Sequence, residues 1–289
     1  MPRTGKPPAT MGELLALASA ACYGLSDFAG GLLSRRASFV AVALIGQLSG
    51  LALAFVAAAI TTSALPGLAD LGWGAASGVG TGIGMMFLFR GLSRGAMSVV
   101  VPVSAVGGVA LPVLVGVTLG SRPSPVTWLG IALTLPALWL VSQPRRGTGR
   151  QVLPAMADGL IASGGIALQY LALAQAGPHS GLWPVVAGRV TAAATIAALA
   201  VPVGTGLRLR LPTRHTLTAV MTGGSAALAL VCYLLATRDQ LMVVAVVLSS
   251  LYPVIPVLLG IGVLGERLSR QQIAGTVGAG LAIALIVAG

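Results

Sequence analysis

Charge is what this chain most lacks. Only 8% of its 289 residues are Asp, Glu, Lys or Arg, while 56% are hydrophobic. A water-soluble domain carries roughly 25% charged residues, so no soluble fold of this length could be covered by so few ionic groups. Aromatic residues make up only 4%, and there are two cysteines and two histidines. Cys22 and Cys232 both fall inside apolar segments and read as buried small side chains rather than a disulfide or a metal site. His179 and His215 lie between apolar segments, and neither a His-Glu-x-x-His nor a Gly-x-Ser-x-Gly element occurs. Intramembrane metal or serine hydrolysis therefore has no sequence support, and no cofactor or metal is implied. Gly78, Gly80, Gly82 and Gly84 sit in an apolar span with no Lys-Ser/Thr after them, so they suit close helix packing rather than phosphate binding. Strand-like alternation is absent, which excludes a transmembrane barrel.

The net charge of +11 raises the possibility of a nucleic-acid partner. The basic residues, however, stand in short clusters between apolar segments: Arg35-Arg36, Arg145-Arg146 and Arg208/Arg210/Arg214. That distribution orients helices in a bilayer and argues against nucleic acid.

What the chain has is apolar length. Its mean hydropathy is +0.96, and it contains 40 glycines, which suits helices packed through small faces. A span needs roughly 20 mostly apolar residues. Ten such segments are read at about 12–33, 38–60, 70–90, 95–118, 124–142, 154–176, 180–203, 216–237, 241–264 and 269–288. The breaks carry helix-ending chemistry, such as Leu65-Pro66-Gly67, Arg122-Pro123-Ser124-Pro125 and Gly177-Pro178-His179. Residues 1–10 read as a disordered leader and 143–153 as a linker loop.

Val101–Ser142 is loosely repeated by Val246–Val287. Ser104 matches Ser249, Leu119-Gly120-Ser121-Arg122-Pro123-Ser124 matches Leu264-Gly265-Glu266-Arg267-Leu268-Ser269, and Gly130 matches Gly275. The expectation is an all-α membrane protein with ten transmembrane helices as two five-helix repeats, 11–142 and 154–289. Because five is odd, two tandem copies enter the membrane in opposite directions, giving an inverted repeat with a site at its interface. Basic residues are divided four against twelve between the two sets of loops, which favours both termini outside.

Val247-Leu248-Ser249-Ser250-Leu251-Tyr252-Pro253, followed by the Gly265-Glu266-Arg267 turn, resembles the ninth helix and turn of EamA-type proteins of the drug/metabolite transporter superfamily. The resemblance runs from about Met11 to the end. It implies a carrier of small metabolites whose cavity is walled by helices 1–4 and 6–9, with helices 5 and 10 peripheral and the termini cytoplasmic, against the charge count. The first copy departs from the pattern at Ser121 and Gly108, which replace the turn glutamate and the helix proline.

Several polar residues lie inside the apolar segments. Asp27, two-thirds along helix 1, is read either as lining a pathway, where it binds a cationic group or a proton, or as capping and pairing with Arg35 or Arg36. Arg189 in helix 7 matches Gln47 in helix 2 through Gly188 and Gly46. It is read as holding a substrate carboxylate or an internal partner, or as snorkelling. Gln169 and Tyr170 of helix 6 stand level with Asp27 and Phe28 of helix 1, as substrate contacts or as bundle contacts. Tyr252 with Ser249, and Ser104 with Pro102, mark places where Pro253 and Pro102 kink or hinge a helix, or simply pack. Glu266 with Arg267 reads as an interfacial cap.

The sequence thus supports a secondary, non-ATP transporter of a small polar or amphipathic metabolite, working by alternating access between two repeats. A passive channel-like facilitator is the alternative, and an intramembrane enzyme the remoter one. The expected setting is the plasma or inner cell membrane, as monomer or homodimer, with a small-molecule substrate, the lipid bilayer and a coupling proton as partners.

Overall fold

The structure, a computed structural model, describes residues 10–61, 66–93, 97–141, 152–201, 211–255, 258–259 and 269–288. Every regular element among them is helical. Ten α-helices are bounded: α1 Met11–Ser34, α2 Phe39–Thr61, α3 Leu68–Ser93, α4 Met97–Thr118, α5 Pro125–Val141, α6 Val152–Ala174, α7 Trp183–Ala200, α8 Thr213–Asp239, α9 Met242–Ser249 and α10 Arg270–Ala288. A 3-10 turn, Pro178–Ser180, precedes α7. Six of the described helices (α1, α2, α3, α6, α7 and α8) are long and apolar enough to cross a membrane, and α4 and α5 hold shorter apolar stretches, Val103–Thr118 and Pro125–Leu140. Leucine, phenylalanine and isoleucine side chains of α2 (Leu48, Phe55, Ile60) stand exposed on the outside, a surface suited to lipid rather than water.

Local chemistry sets the helix ends. Thr10 and Glu13 form a reciprocal capping box at the start of α1, with Thr10 N donating to Glu13 Oε2 at 2.7 Å. Ser269 and Gln272 repeat it at α10, with Ser269 N to Gln272 Oε1 at 3.0 Å. Ser124 accepts from Thr127 N ahead of Pro125, the first residue of α5. At the end of α4, Gly120 has φ +96°, Ser121 N donates to Gly116 O and Gly120 N to Val117 O. This is a Schellman closure, and only glycine adopts its left-handed turn cheaply. The first five-helix segment is thus capped as its sequence suggests. The leader (residues 1–9), most of the linker (142–151) and the Glu266–Arg267 turn lie outside the described residues.

Two boundaries differ from the sequence reading. Helix α6 starts at Val152, inside the expected linker. The expected helix 241–264 ends as α9 at Ser249 and gives way to a turn over 250–253, with helical backbone again at 254–255 and 258–259. Pro253 accounts for that: its ring collides with the carbonyl four residues back, at Ser249, and it offers no N–H.

The helices pack as α3 on α6 and α7, α1 and α2 on α8, α4 on α6, α1 on α9, α2 on α7, α4 on α9, and α5 on α10. These contacts are carried into one another when every helix is exchanged with the one five places along, whereas α4–α5, α1–α2 and α5–α9 have no counterpart of this kind among the described residues. At one end of the bundle Gln240 Nε2 donates to Gly12 O at 3.0 Å and Gly177 N to Asp70 Oδ1 at 2.8 Å. The start of α1 therefore meets the end of α8, and the start of α3 meets the end of α6. Glycines make the tightest crossings. A Cβ on Gly78 would collide with Gly188 O and Thr191 Oγ1, and one on Gly223 with Gly46 O and Ser49 Oγ. Each crossing is bound by a hydroxyl: Thr191 Oγ1 donates to Ala75 O at 2.9 Å, and Ser49 Oγ to Val220 O at 3.1 Å. Glycine lets backbones approach, and dispersion with interhelical hydrogen bonds then holds them where lipid offers no hydrophobic drive.

Candidate functional site

A cavity with about 430 Å³ of empty space lies among α1, α3, α6, α8 and the turn after α9. From α1 it receives Tyr23, Ser26 and Asp27, which share one helix face by their spacing of three and four. From α3 come Thr81 and, as apolar wall, Met85 and Leu88; from α6, Gln169 and Tyr170; from α8, Ala226; and from the turn, Tyr252.

The polar wall is ordered by one amide. Gln169 Nε2 lies 2.7 Å from Tyr23 Oη, and its Oε1 accepts from Thr81 Oγ1 at 2.8 Å. Ser77 Oγ donates to Gln169 O at 2.9 Å, tying α3 to α6 behind it. The tyrosines form a second layer. Tyr23 meets Tyr170 edge-on with centroids 6.2 Å apart, and meets Tyr252 at 6.3 Å with ring planes inclined by 57°. Tyr233 stacks obliquely on Tyr170 at 4.6 Å and donates its hydroxyl to Tyr170 O at 2.9 Å. All four tyrosines of the chain thus belong to one connected cluster. Asp27 is half-buried and makes no ion pair or hydrogen bond among the described residues.

Four of the residues singled out in the sequence meet at this cavity: Asp27, Gln169, Tyr170 and Tyr252. The others do not line it. Arg189, 1% exposed, donates from Nη1 to Gln47 Oε1 at 2.9 Å, so the two residues matched in depth by sequence bond each other. Its Nε and Nη2 have no partner among the described residues, and Gly50 lies against the guanidinium. Gln47 and Arg189, expected in one cavity with Asp27 and Tyr252, bond each other in the α2–α7 contact and are not among the lining residues. Ser249 is buried and donates to Ala16 O at 3.3 Å, and Ser104 is buried in α4. Pro102 lies in α4, and Pro253 in the turn.

Tyr23, Ser26 and Thr81 were not anticipated, although Tyr23 stands one helical turn before Asp27. A buried ion pair was also missed. Asp158 of α6, 0% exposed, receives Arg90 Nε at 2.9 Å and pairs with that guanidinium, which also lies over the Phe87 ring at 4.3 Å. Among the described residues no group of three or more His, Cys, Asp or Glu side chains is placed to hold a metal ion.

Residues 10–143 match the EamA-like transporter family. No curated protein matches the chain. Solved structures do match it. One of them, a crystal structure of a protein 19% identical in sequence, covers 95% of this chain and 95% of its own with a TM-score of 0.70. At that identity the likeness shows a shared fold over nearly the whole chain.

Proposed function

Residues 10–143 match the EamA-like transporter family, and from that match we propose that the chain is a member of the drug/metabolite transporter superfamily, a secondary transporter of a small metabolite in the cell membrane, working by alternating access at the Asp27 cavity. The multi-pass helical body and the family match support the coarser statement, a membrane transporter with a small-molecule substrate and a lipid surround. The observation that carries the finer one is the cavity itself: both halves of the chain contribute to it, and its wall holds a carboxylate within a membrane helix. A charge in such a place is costly and is kept mainly where substrate, ion or water receives it.

Two inverted repeats, 11–142 and 154–289, are part of this reading. The contacts between halves that survive a five-helix exchange support them, as do the equivalent crossings Gly78–Gly188 and Gly223–Gly46. Direction supports the inversion. Gly30 near the end of α1 lies against Phe89 near the end of α3, so α1 and α3 run alike, while α6 runs against α3. Under the exchange α2–α7 maps onto itself, which puts the Gln47–Arg189 bond where a two-fold axis would pass. Asp27, Gln169, Tyr170 and Tyr252 are then the substrate contacts, and the break at Pro253 is the hinge beside them. Arg189 and Gln47 hold the halves together rather than bind substrate.

Reconstitution in liposomes tests the assignment. Ala226→Trp fills the cavity and should abolish solute flux across a metabolite panel, whereas Met221→Trp on the exposed face of the same helix should leave it intact. Equal flux in both variants would refute the cavity as the pathway. If Asp27 also carries a coupling proton, Asp27→Asn should remove the pH dependence of flux while the protein stays folded.

A further inference from the structure

Among the described residues, Asp27 is the only charged side chain on the cavity wall. Arg189, bonded to Gln47, and Arg90, bonded to Asp158, are not among the lining residues, so no described cation faces this carboxylate across the cavity. Around it stand the rings of Tyr23, Tyr170 and Tyr252. Their planes are inclined at 87° and 57° to one another, so they wrap the space rather than stack along one side of it. Aromatic faces carry the negative end of the ring quadrupole and attract cations, most strongly where water is excluded.

The rest of the wall narrows the choice. An anion would meet Asp27 with no cation to receive it. A polyol or sugar would need many free hydrogen-bonding groups, yet Gln169 is occupied by Tyr23 and Thr81, and Met85, Leu88 and Ala226 present carbon. Ser26 Oγ and Tyr252 Oη are buried without a partner among the described residues, two polar contacts left for a ligand. A divalent metal would want several carboxylates or carbonyls, and one carboxylate is present.

We infer that the ligand of this cavity is a small monovalent organic cation with an apolar body, its charge at Asp27 and its alkyl or aryl part between the tyrosine rings and the Met85–Leu88 wall. The inference rests on the cavity being the binding site, as proposed above.

The test is calorimetric binding by the purified full-length protein at pH 8, with three probes of similar bulk: benzyltrimethylammonium, its neutral carbon isostere neopentylbenzene, and benzylsulfonate. The cation should bind at least about tenfold more tightly than the isostere, with benzylsulfonate weakest, since a desolvated cation gains from both the carboxylate and the ring faces. Asp27→Asn should erase the preference of the cation over the isostere. Tyr252→Phe keeps the ring and should stay within about twofold, whereas Tyr252→Leu should weaken the cation by about fivefold. Equal binding of cation and isostere, a preference for the sulfonate, or an unchanged cation affinity in Asp27→Asn would overturn the assignment. If Asp27→Asn does not fold, the Tyr252 pair decides alone, and equal affinity in Phe and Leu variants rejects it. Liposome flux separates this inference from the one beneath it. Cation binding by these rules with flux untouched by Ala226→Trp would remove the transport pathway and keep the ligand class. Flux of an uncharged or anionic solute blocked by Ala226→Trp would keep the pathway and remove the class.

Discussion

Gly108 in α4 stands where Pro253 stands in the second half, and the two copies diverge at that point. Helix α4 runs unbroken from Met97 to Thr118, while α9 stops at Ser249, four residues before the proline. The packing has been exchanged with the backbone. In the first half, Gly107 and Gly108 make room for Ser163 and Ile166 of α6; in the second, Gly24 of α1 makes room for Ile255 and the Tyr252 carbonyl. Knob and hole have swapped sides, and only the copy with the break delivers an aromatic ring to the cavity. The ends differ too. Arg90 and Asp158 form an ion pair between α3 and α6, whereas the matching positions between α8 and α1 are Leu235 and Ala16, both uncharged. The ion pair of Arg90 with Asp158 thus has no charged counterpart at Leu235 and Ala16.

The comparison can be broken most severely at the glycine crossings. Gly78→Leu and Gly223→Leu should each abolish the folded monomer on size-exclusion chromatography, because the obstruction is a backbone carbonyl that cannot yield and the cost exceeds the about 1–3 kcal/mol of ordinary overpacking. Survival of one variant alone would show the crossings to be unequal. Next comes the ion pair. Asp158→Ala strands a mostly buried Arg90 and should cost about 3 kcal/mol in thermal unfolding. Ala16→Asp together with Leu235→Arg should be better tolerated than Ala16→Asp alone if the two ends are equivalent places. Exchanging the backbones is a comparable perturbation. Gly108→Pro should break α4 at about 3 kcal/mol. Pro253→Gly should change stability by about 1 kcal/mol or less while withdrawing Tyr252, read as a severalfold loss of cation affinity. The smallest effect is expected at the axis. Arg189→Gln replaces a buried cation lacking a carboxylate by an amide that can still bond Gln47, and should shift stability by no more than about 1 kcal/mol in either direction.

Helix ends were legible because their chemistry is local: Thr10–Glu13, Ser124–Pro125 and Gly120 each act within a few residues. The proposed repeat rests on the matched Ser, Gly and Arg positions, and Asp27 and Gln169, level with each other in the sequence, line one wall. The end of α9 was not, since a proline in an apolar run can kink a helix or stop it, and only the packing of Ile255 and Tyr252 against Gly24 distinguishes the two. Arg90 and Asp158 escaped because each looks like a solitary charge near a helix end, and their meeting depends on α3 lying against α6. Tyr23 escaped because a tyrosine in an apolar helix carries no local sign of what its hydroxyl will meet. Gln47 and Arg189 show the converse: equal depth in the two halves was visible, but bonding across the α2–α7 contact required the fold.

Access to the cavity from the two membrane faces tests the central claim most directly. With Cys22→Ala and Cys232→Ala as background, a cysteine at Ala226 should react with an impermeant thiol reagent added to either face of oriented proteoliposomes. Benzyltrimethylammonium should protect it, and Asp158→Asn should shift the reactivity toward the face where Arg90 stands. Reactivity from one face only, indifferent to both the cation and Asp158→Asn, would contradict the account.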